Sequence, residues 1–245
     1  MQVNGLALAL RPRPMAEAGD LGILLVQTHA RSIWRCYLPV WIAVTAVALA
    51  CADIAPWLPA LLIFWLKPWL DRTLLFVVSR AVFGQATQFA DVWQQRRHLW
   101  LGQWWSTLLL NRFSPWRSYT QAIGQLEGQR GKAFRQRRSQ MLRGKRGAAF
   151  GMQWAFANVE LVLSVGLFLL SFWMELQGER GGVWAWIKEP GDNVSSVLSL
   201  ALVQALLVLL VEPFFVAAGF VMYLNRRVEL EAWDIEQEFR RAFTP

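Results

Sequence analysis

Cysteine and histidine are almost missing from this chain. Cys36, Cys51, His29 and His98 are the whole supply in 245 residues. Two histidines are too few for a histidine-based metal cluster, and no Cys/His ligand spacing is present, so no cofactor is expected. The two cysteines fall near opposite ends of one apolar stretch, roughly 22 Å apart on a straight helix, which is beyond disulfide reach. GxSxG, HExxH and Walker-type loops are also absent, and scattered carboxylates are too common to indicate catalysis. The chain is therefore read as non-enzymatic. A signal peptide is not expected either, because Leu6–Leu10 is short and Arg11-Pro12-Arg13-Pro14 follows it directly. Acids are scarce over a long middle stretch: residues 84–147 hold only Asp91 and Glu127 against twelve Lys/Arg, thirteen if Arg80 is counted with them. Internal repeats and low-complexity linkers are not seen.

What the chain does have is apolar length. It is 55% hydrophobic with a mean hydropathy of +0.29, and the apolar residues are blocked into long runs, which favours membrane spans over a soluble core. Fifteen Trp suit a large membrane–water interface. The net charge of +8 fits nucleic acid or anionic lipid, and beside membrane spans anionic lipid is the simpler partner.

The stretch from Val194 to Leu224 organises the rest. Val197–Val211 is fifteen residues with only Ser199 and Gln204 polar; Glu212-Pro213 interrupts, and the apolar run resumes from Phe214 to Leu224. About 20 apolar residues cross a bilayer. Arg226-Arg227 then marks a cytoplasmic end by the positive-inside rule. Three further spans are expected: Ile33–Cys51, a second beginning at Pro56-Trp57, and Phe150–Met174. The second admits two readings. Either one kinked helix crosses from Pro56 to about Ser79 with Lys67, Asp71 and Arg72 at membrane depth, or a short span ends near Lys67 and an interfacial helix follows. The first is preferred, with Pro68 as the kink and a possible i,i+4 pair between Lys67 and Asp71.

These spans give an all-α fold: a polytopic membrane helical bundle of four transmembrane helices with interfacial and cytoplasmic amphipathic helices. Residues 1–32 form a cytoplasmic arm and interfacial helix, with Asp20 capping a helix from Leu21 to about Arg31 that lies on the membrane or packs on the spans. Residues 33–83 are a first transmembrane hairpin. Residues 84–147 are a basic cytoplasmic region, read as a helix over Phe89–Leu110, a loop over Asn111–Tyr119 and a basic helix over Leu126–Arg143 closed by Gly144. Residues 148–224 form a second hairpin with periplasmic loop 175–193, and 225–245 a cytoplasmic amphipathic tail. Basic inner loops and basic-poor outer ones agree with a multi-pass threading that leaves both termini cytoplasmic.

Charged residues at membrane depth are costly and tend to pair or face a wet cavity. Lys67, Asp71, Arg72, Glu160 and Glu212 form the candidate intramembrane polar cluster, with a Lys67–Glu212 pair across helices. Its role is either to fix helix register or to serve a proton, ion or headgroup pathway. Arg130, Lys132, Arg135, Arg137, Arg138, Arg143, Lys145 and Arg146 form the candidate surface for anionic lipid headgroups or an acidic protein partner. Nucleic acid uses the same chemistry and is not the expected ligand.

Two stretches carry a resemblance. One is Glu212-Pro213-Phe214, Ala217-Ala218-Gly219-Phe220, Tyr223-Leu224-Asn225-Arg226-Arg227, Trp233-Asp234-Ile235-Glu236 and Phe239-Arg240-Arg241. The other is Leu66-Lys67-Pro68-Trp69-Leu70-Asp71-Arg72 followed by Ser79-Arg80-Ala81-Val82-Phe83-Gly84. Together they resemble an uncharacterised family of proteobacterial inner-membrane proteins, with Ala232 where that family would have Gly. The chain is also loosely similar to the membrane domain of some glycerophosphodiester phosphodiesterases, without a phosphodiesterase site. The family setting implies other membrane or cytoplasmic proteins as partners, including transglutaminase-like membrane proteins and a MoxR-type ATPase system. The leading expectation is a membrane component that docks a partner and anionic lipid through its basic region; the alternative is a transporter or lipid-handling protein that uses the intramembrane charges.

Overall fold

A computed structural model describes residues 12–102, 107–108, 112–176 and 193–231. Every regular element among them is helical. In chain order they are α1 (Met15–Thr28), α2 (Ala30–Ala50), α3 (Leu58–Val82), α4 (Phe89–Gln94), α5 (Arg117–Gln125), α6 (Gly131–Leu142), α7 (Arg146–Leu176) and α8 (Asn193–Glu231). A 3-10 turn, Cys51–Asp53, follows α2, and a π turn, Arg97–Leu101, follows α4. Three helical stretches are long and apolar enough to cross a membrane: Ala30–Asp53, Arg146–Leu167 and Ala201–Glu231. The fourth expected span, α3, has the length but carries Lys67, Asp71, Arg72 and Arg80 among its 25 residues. It is a single continuous helix with Pro68 inside, so the short-span reading with a separate interfacial helix is not what forms.

α8 is the axis of the bundle. It touches α1, α2, α3, α5 and α7, and residues on all its sides are buried, among them Ala201, Ala205, Phe215, Ala217, Phe220 and Tyr223. A helix apolar all round belongs in a core or a bilayer. Small residues let neighbours come close to it. At Gly22 of α1 a Cβ would stand 2.6 Å from the Ala217 carbonyl and the Ala218 Cα, so the two backbones meet. α1 therefore lies on the long helices rather than apart from them. It also starts earlier than the Asp20 cap implies. Pro14, with its preset φ, opens the helix, and a reciprocal pair pins that start to α8: Arg13 N–H donates to Asn225 Oδ1 at 2.9 Å, and Asn225 Nδ2 donates to the Arg13 carbonyl at 2.8 Å.

The middle region differs most from the sequence reading. In the described part of the single helix expected over Phe89–Leu110, α4 ends at Gln94 and the π turn follows at Arg97–Leu101. The helix expected over Leu126–Arg143 begins only at Gly131. Gly128 and Gly131 take positive φ of 68° and 55°, conformations other residues resist, and they turn the chain between α5 and α6. The stretch expected as a loop up to Tyr119 turns helical at Arg117. This region does not stand apart from the long helices: α5 packs on α8, α3 and α7. The amphipathic tail expected over 225–245 and the 175–193 loop lie largely outside the described residues.

Candidate functional site

Lys67 and Asp71 stand on α3, Glu160 on α7 and Glu212 on α8, each near the middle of its helix. The expected cluster forms, but with a different membership. Lys67 Nζ lies 2.7 Å from Glu160 Oε2 and 3.0 Å from Glu212 Oε2. Arg117, the first residue of α5, donates from Nη2 to Glu212 Oε1, and its Nε lies 2.9 Å from Asp71 Oδ2. The result is a chain of alternating charge, Glu160–Lys67–Glu212–Arg117–Asp71. The i,i+4 pair between Lys67 and Asp71 does not form, because each finds a partner on another helix. The Arg117–Asp71 contact is close but poorly aligned for a directed hydrogen bond, so it is chiefly electrostatic. Four members are nearly dry; Glu160, with 29% of its side chain exposed, is the end that faces outward.

Arg117 was invisible in the sequence. α5 reads Arg-Ser-Tyr-Thr-Gln-Ala-Ile-Gly-Gln, too polar to suggest a core helix, yet all of it except Gly124 is buried. Backbone proximity explains the placement. A Cβ at Gly219 of α8 would stand 2.2 Å from Ser118 Oγ, so α5 sits directly on α8 and delivers Arg117 to Glu212. The Phe215 ring lies 4.9 Å from the Arg117 guanidinium and holds it by a cation–π contact. The small run Ala217-Ala218-Gly219 was the one sequence signal for a close neighbour at this level.

Arg72 belongs elsewhere. Its Nε donates to the Leu99 carbonyl, its Nη2 to the His98 carbonyl at 3.2 Å and its Nη1 to Thr107 Oγ1 at 3.2 Å. It thus donates to two carbonyls of the π turn. Trp100 Nε1 donates to Thr73 Oγ1 at 3.1 Å and Trp69 Nε1 to the Trp100 carbonyl at 3.1 Å. These bonds bind the 97–101 turn along the side of α3. Arg72→Met is expected to cost about 1–3 kcal/mol for each hydrogen bond to a charged group that it removes. Amide hydrogen exchange over 97–101 should rise about tenfold or more, and unchanged exchange there would contradict this role.

A cavity of about 290 Å³ opens onto the charge chain between α3, α7 and α8. Phe64 and Phe156 wall it, with Lys67, Arg112, Glu160 and Glu212. The Arg112 guanidinium stacks 3.4 Å from the centre of the Phe64 ring. Three polar atoms of its lining, Arg112 Nε, Arg117 Nε and Gln153 Oε1, lack a hydrogen-bond partner among the described residues; Arg117 Nε has the Asp71 carboxylate at 2.9 Å as its ion-pair partner, and the other two have none.

Comparison with protein-family models, curated proteins and solved structures gives no match.

The expected basic surface divides in two. Arg130, Lys132, Arg135, Arg143 and Arg146 are exposed. The other three are engaged within the molecule. Arg137 Nε lies 2.9 Å from Glu127 Oε2, and Nη2 pairs with Glu231; the Glu127 hydrogen bonds, against the opposing effect of burial, raise its guanidinium above the ordinary range. Lys145 pairs with Glu229 at 2.9 Å. Arg138 lies over the Trp116 ring at 5.4 Å. Acids from the end of α8 therefore dock on the basic segment, as their charge allowed, and consume part of it.

Proposed function

We propose that this is a four-span inner-membrane protein that handles lipid, holding a polar headgroup in the charged cavity beside α3 and α7. The single observation that carries this is the cavity itself: it reaches the Glu160–Lys67–Glu212 chain from the side. A cluster that served only to fix helix register would be sealed. α7 rests mainly on α8, α1 and α5, and the Lys67–Glu160 bridge ties it to α3 across the opening. Exposed Phe64 on α3 and Leu161 on α7 flank this level with apolar surface suited to acyl chains. The four-span topology is supported by the α2–α3 hairpin. α3 packs along α2 after a short turn and is about 37 Å long at 1.5 Å per residue, enough to recross a bilayer. Its charges are borne by pairing with α5, α7 and α8. With four crossings and Arg226-Arg227 inside, both termini are cytoplasmic.

A second reading has its own observation. Five exposed basic residues, Arg130, Lys132, Arg135, Arg143 and Arg146, give a surface for anionic headgroups or an acidic partner, and a docking component without enzymatic activity would use it. Transglutaminase-like membrane proteins and a MoxR-type ATPase system are the partners that the family resemblance suggests. Native mass spectrometry of the gently extracted protein separates the two. The lipid reading expects a retained phospholipid whose occupancy falls about tenfold in Glu160→Gln, a change that leaves the Lys67–Glu212 pair in place. A protein subunit at fixed stoichiometry, with no lipid retained, would favour docking instead.

A further inference from the structure

We infer that the ligand is a zwitterionic aminophospholipid, its phosphate taken by Arg112 and its primary ammonium by Gln153 and Glu160. This deepens the headgroup reading above and rests on it. The first argument is charge. Lys67, Arg112 and Arg117 face Glu160 and Glu212 around the cavity, with Asp71 behind Arg117. Three cations and three carboxylates balance. Beside the buried Lys67, Arg117, Asp71 and Glu212, a ligand with net charge would add an uncompensated charge at a cost of several kcal/mol. A ligand that is neutral overall adds none.

The second argument is unfilled hydrogen bonding. Arg112 stacks on Phe64 and makes no ion pair among the described residues, and its buried Nε has no acceptor. Gln153 Oε1 on α7 is a buried acceptor with no donor. Buried polar groups are rarely left so, because each costs about 1–3 kcal/mol. One free donor and one free acceptor around one cavity call for a ligand that carries an anionic acceptor and an N–H donor together. Phosphoethanolamine does. A choline headgroup keeps the phosphate but has no N–H to give Gln153. A glycerol headgroup keeps the phosphate and brings a net negative charge.

The third argument is size and surroundings. A volume of about 290 Å³ is at the small end for ligand sites. It suits a headgroup rather than a whole lipid. Phe64 and Leu161, 40% and 59% exposed, offer acyl chains an apolar path outside it, so the lipid and not the free headgroup is the assigned source.

The test uses the full-length protein in detergent micelles. Phosphatidylethanolamine, phosphatidylcholine and phosphatidylglycerol of identical acyl chains are titrated in turn, with soluble phosphoethanolamine as a fourth arm, and occupancy is read by native mass spectrometry. The ethanolamine lipid is expected to bind at least about tenfold more tightly than the other two, the worth of one good hydrogen bond or more. Arg112→Lys, which keeps the charge balance but not the Nε donor, and Gln153→Leu should each remove about tenfold of that affinity, without moving the thermal unfolding midpoint. Equal binding of choline and ethanolamine lipids, or preference for the glycerol lipid, would overturn the headgroup class while leaving the cavity a lipid site. Tight binding of soluble phosphoethanolamine without binding of its lipid would overturn the lipid source. Failure of every lipid to bind, with no effect of Glu160→Gln, would remove the lipid-handling reading as well.

Discussion

Arg117→Met is expected to destabilise the folded protein by about 3–5 kcal/mol, the range seen when one partner is taken from a buried ion pair. The change strands Asp71, whose ion-pair partner is Arg117, and leaves Glu212 with Lys67 alone. Both carboxylates are essentially unexposed, so water cannot take over. The cost lies in the stranded charge rather than in the lost attraction. It follows that Asp71→Asn combined with Arg117→Met should recover part of the loss, leaving a coupling energy of about 1–3 kcal/mol in the cycle. Reversible unfolding in bicelles reads all three variants. A single-variant loss below about 1 kcal/mol, typical of exposed pairs, would mean that the chain of charges is wet and weak.

Gly219→Val is the second large effect. The first side-chain carbon would fall 2.2 Å from Ser118 Oγ, 2.5 Å from Ser118 Cβ and 2.7 Å from the Ser118 carbonyl carbon. The last is backbone and cannot turn aside. α5 must move off α8, and Arg117, the preceding residue, moves with it. Overpacking of this kind costs about 1–3 kcal/mol, and here the loss of the Arg117–Glu212 contact adds to it. Limited proteolysis after residue 112 should accelerate, and lipid occupancy of the cavity should fall. Gly151→Ala on α7 is the matched control: nothing lies within 4 Å of its added carbon, so its effect should stay within about 0.5 kcal/mol. Equal proteolysis of the two variants would contradict the close docking of α5.

The parts of the fold that were legible in the sequence are those written in apolar length. α2, α7 and α8 announce themselves as runs, and α8, the longest, is the axis of the bundle. The expected Lys67–Glu212 contact also forms, because charges at matching depths on adjacent long helices have few partners. What stayed hidden was short and polar. α5 has no apolar period to find, since its burial is set by Gly219 and by the charges it meets rather than by its own hydrophobicity. For the same reason Arg72 was placed with the other charges. Its guanidinium instead binds the backbone of a π turn, and backbone acceptors leave no trace in side-chain composition. The basic segment was read as a surface for lipid or an acidic partner on which the acidic tail could dock; which of its residues that docking engages stayed hidden, because Glu229 and Glu231 are far away in the chain.

The measurement closest to the central claim is a cryo-EM structure of the full-length protein in nanodiscs containing ethanolamine lipid. α7 is expected to be bridged to α3 through Lys67 and Glu160, with headgroup density against Arg112 in the space beside that bridge. α7 closed onto α3, with side chains filling the space and no lipid entering it, would contradict it.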